Sequence, residues 1–139
     1  MAYTYCIDPK VNCVFIRHTG DFSPGEGFEV TNKFLEDPHY THGMNILRDC
    51  IQATLPDAHT LDWYQKEGRK TVSKFDSLIG ACRLAWVVSS ARDFGIVHRW
   101  TATTRFNTKV ERSLFRDLAK AKDWLGIAED YEIKYPPND

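Results

Sequence analysis

The sequence predicts one α/β domain with a mixed β-sheet that opens on an antiparallel hairpin. Three observations support this fold class. Apolar segments of strand length alternate with segments of helical periodicity, only a short turn separates the first two strand segments, and 139 residues at 42% hydrophobic content suffice for one core. The predicted order is β-β-α-β-α-β-α-β-α, and residues 1–139 are expected to form a single domain.

The hairpin is predicted from two neighbouring segments that are rich in aromatic and β-branched side chains. These are residues 3–7 and 12–19, and Asp8, Pro9 and Lys10 between them favour a tight reversal. The two strands should therefore pair in antiparallel fashion.

A helix and a parallel strand are predicted to follow. Ser23 is a candidate N-cap, Pro24 suits the first helical position, and Glu26 lies three residues after the cap. Proline at position 38 should end this helix. Residues 44–51 then form a strand, which should run parallel to the strand before it because a helix intervenes.

The rest of the chain repeats this alternation. We predict a helix from about Thr60, a strand at 81–88 in the middle of the sheet, a helix from Ser90 to about Phe106, an edge strand at 110–115 and a final helix at 117–126. Residues 127–139, which contain Pro136 and Pro137, are expected to form a loosely attached tail.

Composition excludes some classes of partner. Lys and Arg number 18 against 19 Asp and Glu, so the basic excess that nucleic acid or an anionic membrane would require is missing. The four cysteines are widely spaced inside apolar segments, which indicates buried free thiols in a reducing compartment. No signal peptide or membrane-spanning run is found, and a cytoplasmic location is therefore expected.

Several short segments resemble one known family. They are Thr19-Gly20-Asp21, Asp37-Pro38-His39-Tyr40, the segment at 43–49, Leu114 to Leu118, and Trp124-Leu125-Gly126. Together with the element order, they make the chain similar to the STAS-like domains of sulfate transporters and anti-sigma-factor antagonists, above all to small bacterial single-domain proteins of that group. The resemblance implies a scaffold for protein interaction rather than catalysis.

The resemblance also locates a position where anti-sigma-factor antagonists are phosphorylated on serine. Their Asp-Ser-Ser motif falls here on Asp57, Ala58 and His59, and Ala58 has no hydroxyl group to accept phosphate. Thr60 could substitute, but threonine before a helix is more often an N-cap. The expected function is therefore a non-catalytic regulatory module that lacks the phospho-acceptor serine.

Candidate binding residues are weighed against structural roles. Asp49 ends an apolar strand run on the side where α/β folds bind ligands, but a buried Asp that accepts hydrogen bonds from the next loop is the more common case at such a position. His39 and His42 have the spacing of a helical metal pair but follow Pro38 in a loop, so no metal site and no cofactor are predicted. The predicted binding residues are Asp49, Asp57, Ala58, His59, Thr60, Phe94 and His98.

Three hypotheses for function remain open. In the first, the start of the second helix and the face of the third dock another protein or a second copy. In the second, the aromatic residues Trp63, Tyr64, Trp86, Phe94 and Trp100, which otherwise belong to the core, line a pocket for a small apolar ligand or lipid. That carrier or sensor requires an enclosed cavity of a few hundred Å³ (about 300 Å³ or more). The third is an enzyme in which Asp49 meets His59 or His98.

Overall fold

A five-stranded sheet organises the chain in the computed structural model, which describes residues 3–56, 69–102 and 109–137. The strands stand in the order β1-β2-β3-β4-β5, and four helices accompany them in the described residues. The elements are β1 (Tyr3–Asp8), β2 (Cys13–Asp21), α1 (Pro24–Glu36), β3 (Asn45–Thr54), α2 (Arg69–Ile79), β4 (Cys82–Val87), α3 (Ala91–Ala102), β5 (Val110–Phe115) and α4 (Leu118–Trp124).

The N-terminal hairpin forms as predicted. β1 and β2 pair antiparallel, with Tyr3 opposite His18 at one end and Asp8 opposite Cys13 at the other. The Asp8 carboxylate accepts a hydrogen bond from the amide of Lys10 at 2.9 Å, and Asn12 adopts a positive φ of 54°. Asp and Asn suit such a turn because their short polar side chains bond the local backbone and tolerate the left-handed region.

β2 to β5 are parallel, and three crossover helices link them. β4 pairs with both β3 and β5, so the strand predicted for the middle of the sheet is internal, and β5 lies at the edge. Because successive crossovers advance in one direction with the same hand, their helices cover the same face of the sheet. A core of α1, α2 and α3 side chains packed on this first face contains Val30, Phe34, Phe75, Ile79 and Val97.

The ends of α1 and α4 show how local sequence sets the helix limits. Ser23 is extended but makes no side-chain cap bond, whereas Pro24 occupies the first turn and the helix stops before Asp37. In α4 the Asp117 carboxylate accepts from the Ala119 amide, which is a side-chain N-cap. Gly126 after this helix has a φ of 74°, which glycine adopts without the penalty that a Cβ would bring.

Two predicted helices extend into residues that lie outside the described ones. The second helix was expected from Thr60, and its described part is Arg69–Ile79. The third was expected to reach Phe106, and its described part ends at Ala102.

The second face of the sheet is covered by α4 and by the C-terminal segment. Ile127 is buried there with Leu125, and the Tyr131 ring stacks on Phe15 with 5.6 Å between the ring centroids. The Tyr131 hydroxyl donates to the Asp8 carboxylate at 2.5 Å. These contacts correct the prediction of a loosely attached tail, because the apolar residues that alternate along it fill a face that α4 alone leaves uncovered.

A bulge interrupts β3 next to β2. Arg17 is opposite Asp49, but Thr19 is opposite Gln52, so β3 carries one extra residue over this stretch. The Asp49 carboxylate accepts a hydrogen bond from the backbone amide of Ile51 at 3.0 Å. This bond satisfies a backbone donor inside the irregular segment. Asp49 therefore has the structural role of holding the bulge.

No helix among the described residues combines the length and the apolar character needed to cross a membrane.

The packing of the C-terminal segment yields a stability prediction. Ile127→Ala should lower the free energy of unfolding by about 2–5 kcal/mol in urea denaturation, because it removes a buried side chain from a closed cluster. Glu132→Ala, an exposed change in the same segment, should stay within about 0.5 kcal/mol of the parent. Equal and negligible effects of both changes would mean that the segment does not pack on the sheet.

Candidate functional site

The predicted binding residues do not converge in the part of the chain that the structure describes. Asp49 is buried on the second face, on the side of Leu47, and its Oδ2 lies 4.0 Å from the Arg17 Nε. His98 is exposed on α3, whose Val97 packs on the first face. An Asp49–His98 pair is therefore contradicted, because the sheet separates the two residues.

Phe94 was both a candidate core residue and a predicted binding residue, and the structure contradicts the core position. It is 36% exposed on α3, because the buried stripe of this helix runs through Asp93 and Val97 instead. Trp86, by contrast, is buried as expected. Asp57, Ala58, His59 and Thr60 lie outside the described residues, as do Trp63 and Tyr64, and predictions about them stay predictions.

A cavity lies between the first face of the sheet and the helices α1 and α2. Its volume is about 70 Å³, it is partly open to solvent, and most of its wall is apolar. Seven apolar side chains line it, namely Phe22, Phe28, Val72, Phe75, Ile79, Leu84 and Trp86. The Phe28 and Phe75 rings stack across the α1 and α2 sides with 5.6 Å between their centroids.

Two guanidinium groups also line this cavity. Arg48 projects from β3, two residues after Ile46, and Arg112 projects from β5. Arg112 forms a two-pronged ion pair with the Asp76 carboxylate of α2, at 2.9 and 2.6 Å. Such a fork is the strongest common geometry for an arginine and a carboxylate, and it joins α2 to the edge strand.

Arg48 has a different environment, since neutral acceptors surround it. Its Nη1 donates to the His18 Nε2 at 3.1 Å. Its Nη2 donates to the Thr31 hydroxyl at 2.9 Å and to the Gly27 carbonyl at 3.3 Å. The guanidinium lies 5.3 Å from the centroid of the Trp86 ring, where the π face adds a further attraction.

The hydrogen bond from Arg48 determines which nitrogen of the His18 ring carries the proton. A guanidinium has no acceptor, so the His18 Nε2 must accept, and the ring proton is carried on Nδ1. This Nδ1 donates to the Glu26 carboxylate at 2.7 Å. His18 is fully buried, and burial together with the positive charge of Arg48 lowers its pKa despite the opposing effect of Glu26.

Burial also acts on Arg48 itself. It lowers the pKa of the guanidinium to about 10, so the group still carries its charge at neutral pH. The arrangement is thus a buried cation bonded to a carbonyl, a hydroxyl and an imidazole, with a carboxylate only beyond the imidazole. A group of this kind can hold the oxygen atoms of a ligand.

Sequence reasoning missed His18, Arg48 and Arg112, although a signal existed. Each is a polar residue at a position where the alternation of its strand predicts a buried apolar one. In β2, for example, His18 follows Val14 and Ile16 on the buried face. A polar residue at such a position requires partners. Which partners it finds depends on α1 and β3, which lie far away in the sequence.

The described residues contain no cluster of three or more His, Cys, Asp and Glu side chains that could hold a metal. His39 contacts the Asp37 carboxylate at 3.1 Å, and His42 contacts the Leu78 carbonyl at 2.8 Å. The two histidines of the loop therefore have separate structural partners.

Comparison with known proteins finds no match to a family model and none to a curated protein.

The state of His18 gives a pH prediction. Because folding lowers its pKa below 6.5, the unfolded chain binds more protons than the folded one as the pH falls through that value. The free energy of unfolding should therefore decrease below about pH 6.5, with a slope of up to about 1.4 kcal/mol per pH unit from this residue, and level off below the folded pKa.

Urea denaturation of three proteins across this pH range measures the effect. His18→Gln should lose this component of the slope, whereas His39→Gln, at an exposed histidine, should keep it. Parallel curves for the wild type and His18→Gln would contradict the assignment.

Proposed function

We propose that this chain is a non-catalytic binding domain that takes a small, mainly apolar ligand in the cavity between α1, α2 and the sheet. The observation that carries the proposal is the composition of the wall, where seven apolar side chains surround a few convergent polar groups. Ligand sites in proteins have this character. The stacked rings of Phe28 and Phe75 provide a flat apolar surface for such a molecule.

The volume of the cavity restricts the ligand. At about 70 Å³ and partly open, it does not reach the enclosed few hundred Å³ that the carrier or sensor hypothesis requires. It suits a compact molecule, or one end of a longer one that leaves through the open side. The proposed ligand is therefore smaller than the lipid or pocket-filling ligand of the carrier or sensor hypothesis.

The proposal also includes a STAS-like scaffold and a reducing compartment. The order of elements and the N-terminal hairpin agree with a STAS-like domain, which is the relationship that the sequence suggests. All four cysteines are free, which supports activity in a reducing compartment such as the cytoplasm.

A second candidate function is docking of another protein chain, or of a second copy, on α3. It is favoured by Phe94, a large apolar side chain that is 36% exposed on that helix. Exposed aromatic residues are common anchors in interfaces. His98, on the same helix and also exposed, would lie close to such a contact.

Native mass spectrometry of the protein purified from its own host separates the two functions. We expect one chain with a discrete small organic adduct. Val72→Phe, which adds a ring to the cavity wall, should reduce the bound fraction at least tenfold. Leu78→Phe places the same ring on the exposed side of α2 and should retain the adduct.

Two results would contradict the ligand proposal. One is a wild-type chain without adduct, and the other is an adduct that Val72→Phe retains in full. A dimer or a stoichiometric protein complex without a small molecule would support the docking function instead, and Phe94→Ser should then dissociate it.

A further inference from the structure

We propose that the ligand of this cavity is a small organic monoanion, a carboxylate with a short apolar body, whose oxygen atoms bind the Arg48 guanidinium. This inference rests on the proposed function and adds the chemical class of the ligand. The juxtaposition that carries it is a buried cation with neutral partners beside a stacked aromatic wall.

Arg48 has more hydrogen-bond donors than its protein acceptors use. A guanidinium carries five N–H groups. Three hydrogen bonds occupy part of this set, and their acceptors are the His18 ring, the Gly27 carbonyl and the Thr31 hydroxyl. No carboxylate of the described residues contacts this guanidinium, so donors remain for an acceptor inside the cavity that Arg48 lines.

The charges that line the cavity are not fully paired with one another. The cavity wall carries two guanidinium groups, Arg48 and Arg112, and one carboxylate, Asp76. Asp76 is engaged by Arg112 through both of its oxygens. Glu26 is bonded to His18 and not to Arg48, so the charge of Arg48 is the one that faces the cavity without a contacting anion in the described residues.

Burial increases the consequence of that charge. Arg48 is 7% exposed, and its pKa is lowered to about 10 because the charged form loses hydration. In a medium of low dielectric constant, an incoming anion gains more from a cation than it would at a surface. Binding of a carboxylate should therefore stabilise the charged guanidinium.

Gly27 lies beside the Arg48 guanidinium and has no side chain. A Cβ at position 27 would lie 3.4 Å from the Phe22 ring and 3.7 Å from the Arg48 Nη1. These are ordinary contact distances, so a Cβ would fit, but it would cover part of the Nη1 side that glycine leaves open. The charged end of the ligand can therefore reach the group from within the cavity.

The apolar wall and the volume select the remainder of the ligand. About 70 Å³ holds a compact molecule of a few non-hydrogen atoms, and the open side can take up part of it. A branched carboxylate such as isobutyrate has this size. A dianion such as phosphate would bring a second charge into a wall whose other guanidinium, Arg112, is already paired with Asp76.

The test compares isobutyrate with isobutyramide, a neutral molecule of nearly the same shape. Both are titrated into the wild-type protein and followed by amide chemical shifts in ¹⁵N NMR. We expect isobutyrate to bind at least tenfold more tightly, with shifts centred on Phe28, Phe75 and Thr31. Inorganic phosphate, titrated in the same way, should bind more weakly than isobutyrate.

A pair of variants connects the preference to Arg48. Arg48→Met keeps most of the side-chain length and should remove the preference for the anion over the amide. Arg116→Met removes an exposed arginine at the end of β5 and should leave the preference unchanged. If Arg48→Met does not fold, the comparison of the two probes in the wild type still decides the proposal.

The outcomes distinguish this inference from the proposed function. Equal binding of isobutyrate and isobutyramide in the cavity would overturn the anion and retain the ligand site. Tighter binding of phosphate would overturn the carboxylate class. Shifts that map away from α1 and α2, or no binding of either probe, would overturn the inference, and the native adduct then decides separately whether the cavity binds a ligand.

Discussion

The charge of Arg48, placed on the buried face of β3, is the constraint around which the first face of the sheet is arranged. A guanidinium that loses its hydration must recover hydrogen bonds from the protein, and an unpaired one would cost several kcal/mol (about 3–5 kcal/mol when a partner is removed). β2 provides His18, and α1 provides the Gly27 carbonyl and the Thr31 hydroxyl. The position of α1 over the sheet is tied to this set of acceptors.

The same constraint explains the contrast between the two faces of the sheet. On the first face, α1 and α2 stand over Arg48 and Arg112 and leave a small, partly open cavity against the sheet. On the second face, α4 and the segment from Ile127 close over an apolar cluster that holds Phe15 and Leu47. Asp49 belongs to this second face and satisfies the bulge inside β3, so the prediction that it ends the strand is wrong.

Much of the fold could be predicted from the sequence because its signals are local. The turn at Asp8 and Asn12, the start of α1 at Pro24 and the end of α4 at Gly126 each depend on the backbone preferences of a few neighbouring residues. The assignment of Phe94 to the core was wrong, because the rotation of α3 on the sheet is set by Val97 and its tertiary contacts.

The candidate site depended on contacts that no local pattern contains. His18 and Arg48 are 30 residues apart in the sequence, and Asp76 and Arg112 are 36 apart. Alternation in β2, β3 and β5 places these side chains on the buried face, but the sheet order and the crossover helices decide which of them meet. For the same reason, the tail was mistaken for a loose one, since its partner Phe15 lies more than a hundred residues before it.

The Arg48 network depends most directly on the neutral form of His18, because an imidazolium there would remove one of the three acceptors of the guanidinium. Long-range ¹H–¹⁵N NMR of the histidine rings at neutral pH measures this form. We expect a protonated Nδ1 and an unprotonated Nε2 for His18. A proton on Nε2, alone or in an imidazolium, would contradict the Arg48 network and, with it, the anion site that is built on it.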